Sequence, residues 1–173
     1  MVQYRRHLAQ GGTYFFTVNL HNRRHYYLVE HVDALRQIVR DVQAKHTFHI
    51  DAMVILPEHW HAVWTLPPDD VQYASRIRLI KARFTKHLVT CGVNIQQDSR
   101  GEYDLWQKRY WEHTIRDARD FEAHVNYVHI NPVKHKYVIR AADWPYSSIH
   151  RYIKEGALTE DWACDVALGE YGE

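Results

Sequence analysis

A chain of 173 residues, 46% hydrophobic and 13% aromatic, is large enough for one substantial core and a short appendage. Its two cysteines, Cys91 and Cys164, give neither a disulfide framework nor a cysteine-based zinc spacing, no apolar run approaches a membrane span, and no signal-peptide stretch opens the chain, so a cytoplasmic protein with no membrane partner is expected. The net charge of +1 hides an asymmetry. Arg5, Arg6, Arg23 and Arg24 precede the first acid, and Arg76, Arg78, Lys81, Arg83 and Lys86 fall in an acid-free stretch, whereas every charged residue after Lys154 is acidic. Basic segments interleaved with Tyr, Phe and His suit a phosphate backbone and unstacked bases. A solvated helix face and an acidic tail would carry the same charges.

In chain order, Gly11-Gly12 marks a turn, and Thr13 to Leu20, rich in aromatic and β-branched residues, predicts a strand. Val32, Leu35, Ile38, Val39 and Val42 have helical spacing within residues 31–45. Residues 48–56 and 59–66 predict two strands joined at Pro57-Glu58 as a hairpin. After Pro67-Pro68, a basic helix over residues 73–89 buries Ile77, Ile80, Phe84 and Leu88. Residues 91–105 read as a loop and 106–115 as containing a fourth strand. Asp117 is placed to cap a helix that runs to Asn131, where Pro132 is expected to end it. The order β, α, β, β, α, β, α predicts an α+β domain over residues 1–140, with a C-terminal extension over 141–173. Its expected form is a two-layer, ferredoxin-like or RNA-recognition-like antiparallel sheet with helices on one face.

Two features can carry chemistry. His59 and His61 are two apart on a predicted strand, so both imidazoles point to one face and form half of a divalent-metal site, while Trp60 and Ala62 point to the other. Two exposed strand histidines would read the same way. On the predicted helix, Phe121, Val125 and Val128 make the core stripe, and Asp120, His124, Tyr127 and Asn131 line its flank at spacings of three and four. A phenol beside imidazole, carboxylate and amide groups fits a nucleophile, and it also fits a boundary tyrosine whose hydroxyl meets water.

Taken together, LPEHWHAVWTLP (56–67), YWEHTIRD (110–117), HVNYVHINPVKH (124–135), YRRHLAQGGTYFFTVNL (4–20) and DWPYSSIHR (143–151) resemble the REP-associated tyrosine transposases, a branch of the single-tyrosine HUH transposases. The resemblance covers residues 4 to about 165, in the family's order and spacing. It implies an antiparallel sheet with helices, Tyr127 as nucleophile, His59 and His61 as metal ligands, and Asn131 in the place of a third, amide ligand. It also implies single-stranded DNA hairpins (REP elements) as substrate and a monomer or homodimer as the working form. The expected reaction leaves a 5′-phosphotyrosine and a free 3′-hydroxyl, which conserves the energy of the bond for rejoining. Mg²⁺ or Mn²⁺ is the expected ion, because no thiolate is offered and DNA oxygens complete the shell. A phenol needs help losing its proton near neutral pH, and His124 is the nearest candidate base on the helical wheel, with Glu58 and Glu112 as carboxylate alternatives. Arg5, Arg6, Arg23, Arg24, Arg78 and Lys81 are the expected DNA contacts. Two competing readings are a non-catalytic nucleic-acid-binding module, which would tolerate loss of Tyr127, and a metal-dependent hydrolase that uses water as nucleophile.

Overall fold

Alternation along the strands decides how the molecule is layered. The computed structural model describes residues 9–163. Its strands are β1 (Thr13–Asn19), β2 (His49–Ile55), β3 (His59–Thr65) and β4 (Trp111–Thr114). They form one sheet in the order β2-β3-β1-β4, with every pairing antiparallel. The helices are α1 (Tyr27–Glu30), α2 (Val32–Lys45), α3 (Tyr73–Thr90), α4 (Ala118–Lys134) and α5 (Ile149–Lys154). The path β1-α2-β2-β3-α3-β4 is the ferredoxin-like one.

Tyr14, Phe16 and Val18 of β1 point to one face with Trp60, Ala62 and Trp64 of β3, and there they meet Leu35, Val39, Val42, Ile77, Ile80 and Phe84 from α2 and α3. Phe15, Ala52, Val54 and Val63 point to the opposite face, where Val125 and Val128 of α4 pack on them. The antiparallel α+β sheet is thus as expected and its two crossover helices share a face, but α4 does not join them. The second face is itself apolar, and each Val or Phe buried there contributes about 1.5–3 kcal/mol, so this face also recruits a helix. Alternation along β2 is broken by a register shift between Ile50 and Ala52, which lets Ile50 face one core and Ala52 the other.

Asp117 caps α4 as expected, its carboxylate accepting from the Asp120 backbone N–H at 2.9 Å. The expected stop at Pro132 is corrected, since the helix continues to Lys134. A proline costs one backbone hydrogen bond, and so near the C-terminus the remaining turn closes around it. The Lys136 N–H reaches the Val133 carbonyl and the Tyr137 N–H reaches the Pro132 carbonyl, with Lys136 at φ +60°. This is a Schellman closure with lysine in the usual glycine place. Asn131 is therefore helical, one turn after Tyr127.

The fourth strand is shorter than residues 106–115, and Trp106 makes only an isolated bridge to Leu20. The C-terminal segment begins with a 3-10 turn at Ala141–Asp143 and then runs along the outer edge of β2. The Ile55 N–H donates to the Tyr146 carbonyl, the Ser148 N–H donates to the Met53 carbonyl, and Ser147 bridges Val54. The Trp144 indole N–H donates to the Ile55 carbonyl at 2.9 Å, and Ile149 is fully buried. The edge of β2 is thereby covered. The acidic end beyond residue 163 lies outside the described residues.

Candidate active site

His59 and His61 project from the central strand β3 toward the face that α4 covers, and both are nearly buried, at 2% and 3% exposure. This excludes two solvent-facing strand histidines. Their Nε2 atoms face each other at 3.1 Å. The outer nitrogens are held from behind. His59 Nδ1 lies 3.0 Å from a Glu58 carboxylate oxygen, and His61 Nδ1 lies 2.8 Å from the Thr17 hydroxyl of β1. With the Nδ1 protons donated to Glu58 and Thr17, two Nε2 lone pairs are directed into the same small space. That arrangement is repulsive unless a cation lies between them, and an oriented imidazole backed by a carboxylate is the usual second shell of a metal ligand. Two adjacent ligands on an octahedral ion with bonds of about 2.1 Å lie roughly 3 Å apart, close to the spacing found here.

Asn131 is fully buried, and among the described residues neither its amide oxygen nor its amide nitrogen has a hydrogen-bond partner. It approaches His61 closely enough to favour the protonated ring, but without the geometry of a formed hydrogen bond. A buried, unsatisfied amide is costly, and beside two facing imidazoles it completes a donor set that suits a divalent cation. Burial pushes the His61 ring well below its ordinary pKa, with the charges of His59 and His135 adding to it; the Asn131 amide opposes them, and Lys134 adds further. A neutral ring is the form that binds metal. Burial alone would raise the Glu58 carboxyl, but the hydrogen bond and charge of His59, its own backbone N–H and the Arg23 guanidinium hold it at about 2.

Tyr127 lies on α4 with its ring edge-on to His61 at 5.2 Å and to Phe15 at 5.7 Å. The Lys134 ammonium lies 5.0 Å from the centre of the ring. The phenol opens into a cleft of about 480 Å³ lined with Thr17, Arg23, His59, His61, Trp111, His113, His124 and His135. His124 sits in the same cleft. Its Nδ1 lies 2.8 Å from the Asp120 carbonyl and 3.1 Å from the Asp120 carboxylate, and its ring stacks on His113 at 4.6 Å. With Nδ1 as the donor, Nε2 is the basic nitrogen.

Of the expected DNA contacts, Arg23 lines the cleft and reaches Glu58, and Arg24 is exposed nearby in sequence. Arg78 and Lys81 lie on α3, across the sheet from Tyr127, in a separate groove with Lys86, Tyr103 and Lys108. Lys81 donates to the Gln107 carbonyl at 2.9 Å. Arg76 is buried and bonded to Asp70 and to the carbonyls of His46 and Thr47, so it ties loops together instead of facing a ligand. Arg5 and Arg6 lie outside the described residues. Glu112 pairs with Phe16 in register and so lies on the α2–α3 face, away from Tyr127, which removes it as a base. Sequence reasoning missed Thr17, Trp111, His113 and His135. Strand alternation would have found the first three once the β1 and β4 pairing was known. Trp111, 62% exposed at the cleft, is placed to stack on an unpaired base.

A ferredoxin-like sheet that offers paired histidines and a helix-borne tyrosine to one open cleft has the layout of a tyrosine transposase. The comparisons agree. Residues 10–131 match the family model of IS200-like transposases. The chain is 44% identical to the REP-associated tyrosine transposase of Escherichia coli K12 over 173 residues, covering 100% of this chain and 98% of that protein. A Haemophilus influenzae relative with the same class designation is 41% identical over 164 residues, covering 94% of this chain and 93% of that protein. A solved structure of a REP-associated tyrosine transposase bound to a REP hairpin superimposes with a TM-score of 0.85 at 43% identity, covering 100% of this chain and 98% of that one. The chain belongs to the IS200-like transposase family, enzymes that cut and rejoin DNA, and within it to the REP-associated tyrosine transposases.

Proposed function

We propose that this protein cuts and rejoins single-stranded DNA at REP-like hairpins through a covalent bond to Tyr127, with Mg²⁺ or Mn²⁺ held by His59, His61 and Asn131. The observation that carries this reading is the meeting, in one cleft, of the Tyr127 ring and the two facing imidazoles. The Tyr127 oxygen attacks the scissile phosphorus and forms a P–O bond. The P–O3′ bond breaks, the upstream strand leaves with a 3′-hydroxyl that takes its proton from water, and the phosphate bridges tyrosine and the 5′ oxygen of the downstream strand. A 3′-hydroxyl attacking that phosphotyrosine reverses the step without an added energy source. We assign the phenolic proton to Nε2 of His124, whose Nδ1 is engaged by Asp120. The bound ion would polarise the scissile phosphate and offset the charge that builds on it. Glu58 and Thr17 hold the two imidazoles in the orientation this requires. Arg23 and Trp111, at the cleft, suit the phosphate backbone and an unstacked base.

The hairpin-bound relative supports the substrate class. The test is end-labelled hairpin DNA with Mn²⁺ or Mg²⁺, resolved on a denaturing gel. A slow-migrating adduct in wild type, absent in Tyr127→Phe and weak in His59→Ala, is expected. Metal-dependent nicking that survives Tyr127→Phe would instead identify water as the nucleophile. Binding without cleavage would identify a binding module.

A further inference from the structure

Across the sheet from the cleft, three side chains from two separate parts of the chain meet at one point. His31 lies at the junction of α1 and α2, His87 in the last turn of α3, and Cys91 immediately after α3. His31 Nδ1 lies 3.1 Å from His87 Nε2, and Cys91 Sγ lies 3.6 Å from that same nitrogen. Their three donor atoms all fall within 4.8 Å of one another. We propose that His31, His87 and Cys91 form a second metal site, specific for a borderline-soft ion of the Zn²⁺ class, that joins the α1–α2 junction to the end of α3.

The distances carry the proposal. Zn²⁺ takes imidazole nitrogen at about 2.0–2.1 Å and thiolate sulfur at about 2.3 Å. At tetrahedral angles those bonds separate two nitrogens by roughly 3.3 Å, and nitrogen from sulfur by roughly 3.6 Å. The two measured spacings are nearly these edges before any movement. His87 and Cys91 are one helical turn apart, and the Cys91 N–H bonds the His87 carbonyl at 2.9 Å, so their relation is set by α3 itself. The His31 backbone N–H bonds the Tyr27 carbonyl, which anchors the third donor through α1. Both histidines are half-buried and Cys91 is exposed, so the fourth coordination position opens to solvent. The donor chemistry differs from that of the cleft. A sulfur ligand with two imidazoles selects zinc over Mg²⁺ and Mn²⁺, whereas His59, His61 and Asn131 offer no sulfur. Binding displaces the thiol proton, so affinity rises with pH.

The site joins two helices that are not adjacent in sequence, so its expected effect is structural and independent of the reaction at Tyr127. The difference in donors also makes it separable by experiment. Co²⁺ is titrated into the full-length protein and followed by absorbance, with Zn²⁺ added afterwards. A thiolate-to-Co²⁺ charge-transfer band saturating at one ion per chain is expected. It should persist in Cys164→Ser, vanish in Cys91→Ser and weaken roughly tenfold or more in affinity in His31→Gln. Zn²⁺ should bleach the band and raise the melting temperature. No thiolate band in wild-type protein overturns the proposal, and so does a band that Cys164→Ser removes. Because the Cys164→Ser result alone assigns the sulfur, the test survives misfolding of Cys91→Ser. DNA-cleavage activity bears on neither outcome.

Discussion

Asp120 gathers one wall of the cleft. Its carboxylate takes a hydrogen bond from His113 of β4 at 2.8 Å and another from the Arg116 backbone N–H, and it sits beside His124 of its own helix and the Arg116 guanidinium. Burial alone would raise this carboxyl; the His113 hydrogen bond, the Arg116 N–H and the charges of His113 and His124 overcome it and hold the group at about 2. A carboxyl depressed below its unfolded value of about 3.9 stabilises the fold above that value, and the contribution is lost as pH falls toward 2. Asp120→Asn should therefore lower stability by roughly 1–3 kcal/mol at neutral pH. Its deficit should shrink between pH 5 and pH 2, as followed by urea denaturation across that range. A deficit independent of pH would mean that only packing was lost. At this scale the grouping of the proposed reactive side chains was legible in the sequence, because alternation sends His59 and His61 to one face and helical spacing puts His124 and Tyr127 on one flank of α4, and all four line one cleft. The supporting shell was not. Thr17 and His113 belong to strands whose pairing no local pattern reveals, and Glu58, weighed from sequence only as an alternative base, turns its carboxylate onto His59.

Among the elements, α4 departs furthest from local expectation. A proline usually announces a helix end, but here the helix continues two residues past Pro132, and Lys136 then closes it with a left-handed backbone. A non-glycine residue in that conformation costs about 1–2 kcal/mol, partly offset because glycine would lose more chain entropy on folding. Lys136→Gly should therefore stabilise the protein by about 0.5–1 kcal/mol, raising the melting point by roughly 1–4 °C. Lys136→Val should lower it, so calorimetry of the pair provides the check. The strands tell the opposite story. β1, β2 and β3 fall within a residue or so of where their aromatic and β-branched content put them, because each is long enough for its own composition to mark it. β4 falls inside the stretch expected to contain it, and Trp106 at the start of that stretch is instead held by its indole, which donates to the Thr85 hydroxyl at 3.1 Å.

For the molecule as a whole, the order of elements was enough to predict the sheet and its crossover helices. It was not enough to say that a further helix would cross to the other side. That depends on how much apolar surface the second face exposes, a sum over three strands that no single segment contains. The C-terminal segment is similar. It read as an appendage because its residues show no periodicity, and its role along β2 comes from backbone hydrogen bonds that sequence does not encode locally.

The placement of α4 has a further consequence. Tyr127 docks through Val125 and Val128 onto the sheet of its own chain, the same sheet that carries both histidines. The described groups proposed for the reaction all lie on this one chain, so a single polypeptide is expected to suffice. Turnover should be first order in enzyme, and the rate per molecule should hold as protein is diluted well below any concentration at which two copies would meet. Mixing Tyr127→Phe with His59→Ala should restore no activity, since neither can supply the other's missing part. Complementation in that mixture would reveal an exchanged helix, and with it a molecule that works only as a pair.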